Sequence, residues 1–340
     1  MQGESGQDLA LTLWNPDRCL RSVSPEVARY SRGFLRCRPE KWFPGFAMQW
    51  LPLAHSLGIE IKLCEAKPVE QAPRRWACAF AGTVDGEPLG LALEEEGAEV
   101  LLEAVLPSAA PRSRQIVLEY LARRFLSSMA ISWSGPESSL VQFEPDLDAN
   151  QIREVGAIKV VVSINGAQST VWILLGRVLV DRLDGLWRRQ LQSTSRHNSE
   201  DARVQVEFAH LTVPPSLLAD YLKPGTTVDL ETPVSDTVMV VCEGRPFLPA
   251  RLCRLGDCFG VETIAAPLPV FQLPAGTTRL SIELGQADWN GVFAREMSQP
   301  GAVYDTGIRL GDRVGMVVNG EQVAEALLRT YQGHFVVSVI

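Results

Sequence analysis

The side chains best suited to catalysis or metal binding are thinly spread along this chain. Its 340 residues include four widely separated histidines and seven cysteines that form no Cys-x-x-Cys pair. The histidines are His55, His197, His210 and His334, and the cysteines are Cys19, Cys37, Cys64, Cys78, Cys242, Cys253 and Cys258. Protein metal sites draw such ligands together at short, characteristic spacings. A cluster of Cys242, Cys253 and Cys258 is the one alternative, but Cys242 lies in a valine run without a histidine at ligand spacing. We therefore expect no metal site and thiols that stay reduced.

The other patterns that carry catalysis are also missing from the sequence. It contains neither a glycine-rich phosphate loop nor a Gly-x-Ser-x-Gly elbow. The acidic pairs Asp146/Asp148 and Asp181/Asp184 are scattered and read as solvated surface or helix caps. We predict that the chain is not an enzyme, has no catalytic residue and uses no cofactor.

Composition limits the remaining classes of function. The net charge of −8 argues against nucleic-acid binding, which requires a basic face, and 46% hydrophobic residues are ample for buried cores. The longest apolar run, from Val171 to Val180, is interrupted by Gly176 and Arg177 and is shorter than a membrane helix. The start of the chain, from Met1 to Ala10, carries no secretory signal pattern. We expect a cytoplasmic protein without membrane insertion of its own.

The region 1–190 mixes strand and helix patterns. Asp85-Gly86-Glu87-Pro88 and Asn165-Gly166-Ala167-Gln168 each separate two apolar runs and predict β-hairpins. Residues 113–129 predict a helix whose apolar face is formed by Ile116, Val117, Tyr120, Leu121 and Phe125. Ser24 and Pro25 predict the start of an earlier helix. This region is therefore expected to be an α+β domain spanning residues 1–190.

The rest of the chain contains an internal repeat at a constant offset in residue number (300 − 224 = 76), which aligns Pro224-Gly225 with Pro300-Gly301. Without a gap, Asp236 meets Asp312, Val238 meets Val314, Val241 meets Val317 and Gly244 meets Gly320. Short apolar runs separated by Gly, Pro and Asp are typical of small antiparallel β units. We infer a duplicated domain, with a linker at 191–202, copies at 203–266 and 279–340, and a proline-rich linker at 267–278.

The repeat resembles the SpoA, or flagellar-motor-switch C-terminal, family. The first copy supplies Leu222-Lys223-Pro224-Gly225, Leu230, Asp236 and Gly260-Val261, and the second supplies Pro300-Gly301, Asp312-Arg313-Val314 and Asn319-Gly320. Thr306 replaces Leu230 in the second copy. Two tandem copies behind a larger N-terminal region are similar to the Q-type cytoplasmic-ring, or sorting-platform, protein of type III secretion systems. Domain order implies a CheC-like α/β fold for the N-terminal region.

The resemblance implies an intertwined pair of copies whose work is binding. Val238, Val241, Val314 and Val317 are expected in the pairing core, and Leu252, Cys253 and Leu328 are expected on an exposed partner-binding patch. The implied partners are the ATPase stator, the secretion ATPase through that stator, the inner-membrane-ring adaptor and a short C-terminal product of the same gene. The implied location is the cytoplasmic side of the inner membrane.

Two alternative functions remain open at this point. A flagellar motor switch protein is the first, although such proteins usually carry one copy of the repeat. A CheC-like phosphatase is the second, and CheC-type enzymes carry Glu-x-x-Asn, a spacing absent from this sequence.

Overall fold

The computed structural model of the chain describes residues 11–37, 52, 54–73, 75–84, 86–108, 110–133, 141–142, 155–194, 201–269, 273–290 and 300–340. Asp146, Asp148, His197 and the segment 1–10 lie outside these ranges. The chain divides into two compact units, one formed by Gly33–Leu191 and the other by Met1–Arg32 together with Gln192–Ile340.

Two sets of elements build these units. The strands are β1 (Thr12–Leu13), β2 (Ser22–Val23), β3 (Ile61–Val69), β4 (Cys78–Val84), β5 (Glu87–Leu93), β6 (Val141–Gln142), β7 (Gly156–Ile164), β8 (Ala167–Leu175), β9 (Asp201–Val213), β10 (Thr227–Pro233), β11 (Thr237–Cys242), β12 (Arg245–Leu255), β13 (Cys258–Thr263), β14 (Thr278–Asn290), β15 (Val303–Arg309), β16 (Arg313–Val318), β17 (Glu321–Tyr331) and β18 (His334–Val339). The helices are α1 (Pro16–Cys19), α2 (Pro25–Arg32), α3 (Glu95–Val105), α4 (Pro111–Trp133), α5 (Arg177–Thr194) and α6 (Leu218–Tyr221). Short 3₁₀ turns occur at Phe34–Arg36 and Pro215–Leu217. Within the described residues, none of these helices combines the length and the apolar character needed to cross a membrane.

The unit Gly33–Leu191 is an antiparallel sheet in the order β3-β7-β8-β5-β4-β6, with helices packed on it. Both predicted hairpins are present, as β4–β5 and β7–β8. At the second hairpin, Asn165 and Gly166 have φ of 50° and 87°, the backbone that a two-residue turn of this kind requires. Sheet and helix side chains enclose an apolar cavity of about 40 Å³, lined among others by Leu91, Leu101, Leu118, Leu121, Phe125 and Val171.

Helix α4 buries a different face from the predicted one. Leu118, Leu121, Ala122 and Phe125 are buried, whereas Ile116 and Tyr120 are 68% and 52% exposed. Leu121 and Phe125 belong to both the predicted and the observed face. The other residues of the buried face are Leu118 and Ala122, which the prediction did not include. The sequence pattern is ambiguous because apolar residues occur on both sides of this helix.

The start of this unit is fixed by Asp184 of α5. Its Oδ1 accepts a hydrogen bond from the backbone N–H of Phe34 at 2.9 Å, and Asp184 is only 4% exposed. This corrects the expectation that the Asp181/Asp184 pair lies on a solvated surface, although capping was the other option considered. A Cβ on Gly33 would overlap the Asp184 carboxylate. Glycine at position 33 therefore lets the chain pass close to α5.

The other unit contains the duplication. Strands β10, β11, β12 and β13 recur as β15, β16, β17 and β18, and both ends of every strand keep the offset found in the sequence (303 − 227 = 76 for β10 and β15). The register shift between Val240 and Val241 recurs between Met316 and Val317. Strands β9 and β14, with which the two copies begin, pair with each other along their whole length. The repeat read from the sequence is thus a repeat of structure.

The two copies exchange strands. β10 of the first copy pairs with β18 of the second, and β15 of the second pairs with β13 of the first. Matching backbone bonds flank both junctions: Val339 N–H donates to the Thr226 carbonyl, and Thr263 N–H donates to the Ala302 carbonyl, each at 2.9 Å. A pseudo-two-fold axis therefore relates the copies. The predicted fold class, an α+β chain ending in two β-rich copies that form an intertwined pair, is confirmed.

The unit boundaries differ from the domain boundaries drawn from the sequence. Residues 1–32 were assigned to an N-terminal domain spanning 1–190, but they belong to the same compact unit as 192–340. Helix α5 continues to Thr194 and β9 begins at Asp201, so that residues 195–200 of the predicted 191–202 linker lie outside the described ranges. The predicted linker at 267–278 falls between β13 and β14, except for its last residue, Thr278, which begins β14.

Candidate interaction site

The four valines predicted for the pairing core are all buried. Val238, Val241 and Val314 are each 3% exposed, and Val317 is 6% exposed. Val238 and Val314 belong to one continuous apolar core that contains side chains of both copies. The β-bulge after Val240 breaks the alternation of the strand. It therefore allows Val240 and Val241 to be buried in succession.

The three residues predicted to form an exposed patch are buried instead. Leu252 and Cys253 are 1% exposed, and Leu328 is fully buried. Leu252 and Leu328 point into the shared core, and their N–H groups donate to the carbonyls of Asp236 and Asp312 at 2.6 and 2.7 Å. Alternation along a strand turns Cys253 to the opposite face of β12, where it packs with Val23 and Ala28. These positions therefore do not form an exposed patch in this structure.

The thiols of Cys253 and Cys78 are poor nucleophiles and poor metal ligands. Burial raises the pKa of Cys253 to about 11 and that of Cys78 to about 11. A thiol attacks or binds metal as its thiolate, which these pKa values disfavour at neutral pH. Within the ranges that the structure describes, three or more His, Cys, Asp or Glu side chains nowhere gather in a way that could hold a metal ion.

Two glutamates face each other across the pseudo-two-fold axis. Glu207 on β9 and Glu283 on β14 are direct cross-strand partners, 3% and 5% exposed. Their numbers differ by 76 (283 − 207 = 76), so they are equivalent positions of the two copies. Register shifts place Phe208 and Leu284, also an equivalent pair, beside them. A cavity of about 260 Å³ adjoins Glu207 and is lined in part by Thr237 and Met239.

The surroundings of the two glutamates are not symmetric. Arg279 Nη2 donates to both carboxylate oxygens of Glu207 at 2.6 Å, and His210 Nδ1 lies 2.9 Å from Glu207 Oε1. Burial acts to raise the pKa of Glu207, but the His210 hydrogen bond and the Arg279 charge outweigh it, and this pKa is lowered. Burial, followed by the Glu207 charge, raises the pKa of Glu283 to about 7. At neutral pH the pair can thus hold a proton on Glu283 and a negative charge on Glu207.

A tryptophan from the start of the chain completes the shared core. Trp14 is 3% exposed, and its ring centroid lies 6.1 Å from those of Phe259 and Phe335 and 5.4 Å from that of Phe208. Phe259 and Phe335 are equivalent positions of the two copies. The Trp14 ring, which lies outside the repeat, therefore contacts the same position of both copies.

Sequence reasoning missed both Trp14 and the glutamate pair. The glutamates could have been found, because extending the repeat offset towards the N-terminus aligns Val206-Glu207-Phe208 with Ile282-Glu283-Leu284. An acidic residue in the middle of an apolar strand, repeated at the same offset, indicates a buried and partnered carboxylate. No sequence signal places Trp14, whose contacts lie in distant parts of the chain.

Fold and site define an α+β protein of two units, one of which is an internally duplicated β module with exchanged strands. No family model and no curated protein matches the sequence. Among solved structures, the chain is similar to the FliM middle domain from Vibrio alginolyticus, with 13% identity, a TM-score of 0.32, and 43% of this chain and 95% of that one covered. It is also similar to the FliM middle domain from H. pylori, with 15% identity, a TM-score of 0.33, and 48% and 99% covered.

Proposed function

We propose that this chain is a structural, non-enzymatic component of the cytoplasmic ring, or sorting platform, of a type III secretion system. Strand exchange between two tandem copies of the repeat in one chain is the observation that carries the proposal. It provides the intertwined module that the SpoA resemblance implies, built here from a single polypeptide. The proposed location is the cytoplasmic face of the inner membrane, reached through partners.

In this proposal the duplicated module is a rigid platform for other proteins. A repeat of about 65 residues is too small to bury a large core on its own. Strand exchange gives both copies one shared core. β10 of the first copy pairs with β18 of the second, and β15 of the second copy pairs with β13 of the first. The proposed partners are the ATPase stator, the ATPase through that stator, the inner-membrane-ring adaptor and a short C-terminal product of the same gene.

The proposal is tested by affinity purification of the chain from its native cell, followed by mass spectrometry. Two matched variants make the test specific to the module. Val238→Asp places a carboxylate in the shared core and should cost several kcal/mol, on the order of 3 or more, whereas Thr237→Asp changes the exposed neighbour opposite Arg251. We expect a stator and an export ATPase with the parent chain and Thr237→Asp, and their loss with Val238→Asp.

Two other outcomes would contradict the proposal. Recovery of flagellar basal-body and chemotaxis proteins instead of an export ATPase stator would favour the motor-switch alternative. Dephosphorylation of a phosphorylated response regulator by the purified chain, abolished by a substitution within residues 33–191 that leaves the fold intact, would favour the CheC-like phosphatase.

A further inference from the structure

Residues 11–32 form a segment that we call the N-terminal clasp, because it touches both copies of the duplicated module. β1 of the clasp pairs antiparallel with β17, Thr12 opposite Thr330 and Leu13 opposite Arg329. β2 pairs parallel with β12, Ser22 opposite Arg254 and Val23 opposite Leu255. Arg254 and Thr330 are equivalent positions (330 − 254 = 76). β12 runs on past Arg251, where its pairing with β11 ends, and β17 runs on past Leu327, where its pairing with β16 ends. The clasp thus adds a short strand to the equivalent projecting end of each copy, in opposite directions.

Between its two strands the clasp inserts Trp14 into the shared core. The backbone N–H of Trp14 donates to the Leu328 carbonyl at 3.2 Å, while the Trp14 ring is equidistant from the equivalent rings of Phe259 and Phe335. The pocket for this ring is made by the two copies together. It is therefore a single site at the pseudo-two-fold axis, and the segment that fills it need supply only one aromatic side chain.

The second half of the clasp lies over the first copy and the exchanged strand β15. Val23 and Ala28 cover Cys253, and Ser31 Oγ accepts a hydrogen bond from the Val303 N–H at 2.9 Å. The Arg32 guanidinium lies 5.3 Å from the Tyr304 ring centroid.

Two ion pairs join the clasp to β12 and β13. Arg21 pairs with Glu262 at 2.8 Å, and Asp17 pairs with Arg254 at 3.3 Å. Strand pairing for affinity, with one pocket and a few charges for specificity, is the way sheet edges bind extended peptides.

The clasp is also separate in sequence from the module it covers. Gly33 begins the other compact unit immediately after Arg32, and residues 33–191 intervene before the module resumes. Helices α1 and α2, of four and eight residues, are too short to be stable alone. The clasp thus has the character of a tethered peptide ligand, ordered by the surface on which it lies.

We propose that the projecting ends of β12 and β17 and the Trp14 pocket form a peptide-docking surface, which the chain fills with its own clasp and which also accepts the clasp of a second copy of this chain. The clasp of a second copy is the occupant because it makes every contact given above without change. Only the path of the connecting unit differs, as in domain swapping. This inference does not rest on the proposed function, since it concerns contacts within the chain and between its copies.

The first test asks whether the clasp is a ligand. A specific protease site is inserted between Arg32 and Gly33 in the full chain, which is folded and then cut. A labelled synthetic peptide of residues 11–32 should exchange with the cut clasp, measured by fluorescence anisotropy, and removal of the clasp should speed alkylation of Cys253. The same peptide with Trp14→Ala should bind at least about 100-fold more weakly, whereas Leu13→Ala, at a half-exposed side chain, should change binding little. Failure to exchange, equal binding of the Trp14→Ala peptide, or unfolding of the module on cleavage would each overturn the proposal.

The second test asks whether the occupant can come from another chain. Leu13 and Arg329 are cross-strand partners, so one full chain carries Leu13→Cys and a second carries Arg329→Cys. Mixed at high protein concentration under mild oxidation, the two should form an interchain disulfide between residues 13 and 329, identified by peptide mapping. Adding the Trp14→Ala change to the Leu13→Cys chain should reduce this product. Absence of the interchain link while the peptide still binds would overturn the second copy as occupant.

Discussion

Glu207 lies directly opposite Glu283 on the paired strands β9 and β14, and the two residues are equivalent positions of the two copies. In a symmetric pair of identical copies both carboxyls would have the same surroundings. In this chain both Arg279 and His210 contact the carboxylate of Glu207. The glutamate pair can therefore hold its negative charge on the Glu207 side of the pseudo-two-fold axis only. Divergence of the copies has thus made an asymmetric charge pair at a symmetric position.

This arrangement predicts that the module loses stability as the pH rises through neutrality. The pKa of Glu283 is raised to about 7 in the folded chain, from an ordinary value of 4.5. The stabilisation of its protonated form is therefore complete below about pH 4.5 and is lost as the pH rises through about 7. We expect hydrogen exchange of β9 and β14 amides, corrected for intrinsic rates, to report lower protection at pH 8 than at pH 6.

Glu283→Gln should remove most of this pH dependence, because glutamine keeps the shape of the protonated carboxyl without its titration. The matched control is Glu321→Gln, at an exposed position of β17. Equal pH dependence in the parent chain and in Glu283→Gln would refute the assignment.

Trp14 should be a major contributor to the stability of the module. Trp14→Ala removes a buried ring from the contact with Phe259 and Phe335, and we expect a loss of about 3–5 kcal/mol in the opening free energy of β17 and β18 amides. Leu13→Ala, at a side chain that is 50% exposed, should cost less than about 1 kcal/mol. Similar losses for the two variants would mean that Trp14 does not fill the shared core.

The other unit depends on the absence of a side chain at position 33. Gly33→Ala would drive its Cβ into the Asp184 carboxylate, and forced repacking there should cost about 1–3 kcal/mol. Gly185→Ala provides the control, because a Cβ at position 185 meets no atom within 4 Å and lies inside helix α5. It should stabilise the unit by about 0.4–1 kcal/mol. Urea unfolding should show a lower free energy of unfolding for Gly33→Ala and a higher one for Gly185→Ala. An unchanged free energy of unfolding in Gly33→Ala would contradict the close approach to Asp184.

Local patterns were enough to predict much of this fold. The hairpin at Asn165-Gly166 and the N-cap of α2, where Ser24 Oγ accepts the Val27 N–H at 3.1 Å, follow from turn and cap chemistry within short stretches of sequence. The constant offset of the repeat predicted the duplication, because two copies of one fold need similar residues at equivalent strand and turn positions. The intertwined pairing came from the resemblance to the SpoA family.

Long-range contacts were beyond the reach of such patterns. Leu252 and Leu328 were predicted at an exposed patch, but a strand with apolar residues on both faces does not reveal which face is covered. Cys253 is covered by Val23 and Ala28, which come from the opposite end of the chain. The assignment of residues 1–32 to the N-terminal domain failed for the same reason, since loop closure over such distances leaves no periodic signal in the sequence.

The exchange of strands between the two copies can be tested with a single substitution. Cys258 of β13 is the cross-strand partner of Arg309 of β15. The Cα atoms of antiparallel partners lie about 4.5–5.5 Å apart, which is within the range that a disulfide can span. We expect Arg309→Cys, oxidised under native conditions, to form an intrachain disulfide with Cys258, found by peptide mapping in protein that migrates as a monomer. If each copy folded on itself, Arg309 would instead lie beside His334, the residue equivalent to Cys258. A disulfide in the double variant Arg309→Cys, His334→Cys that joins positions 309 and 334, with no link to Cys258 in the single variant, would contradict the exchange.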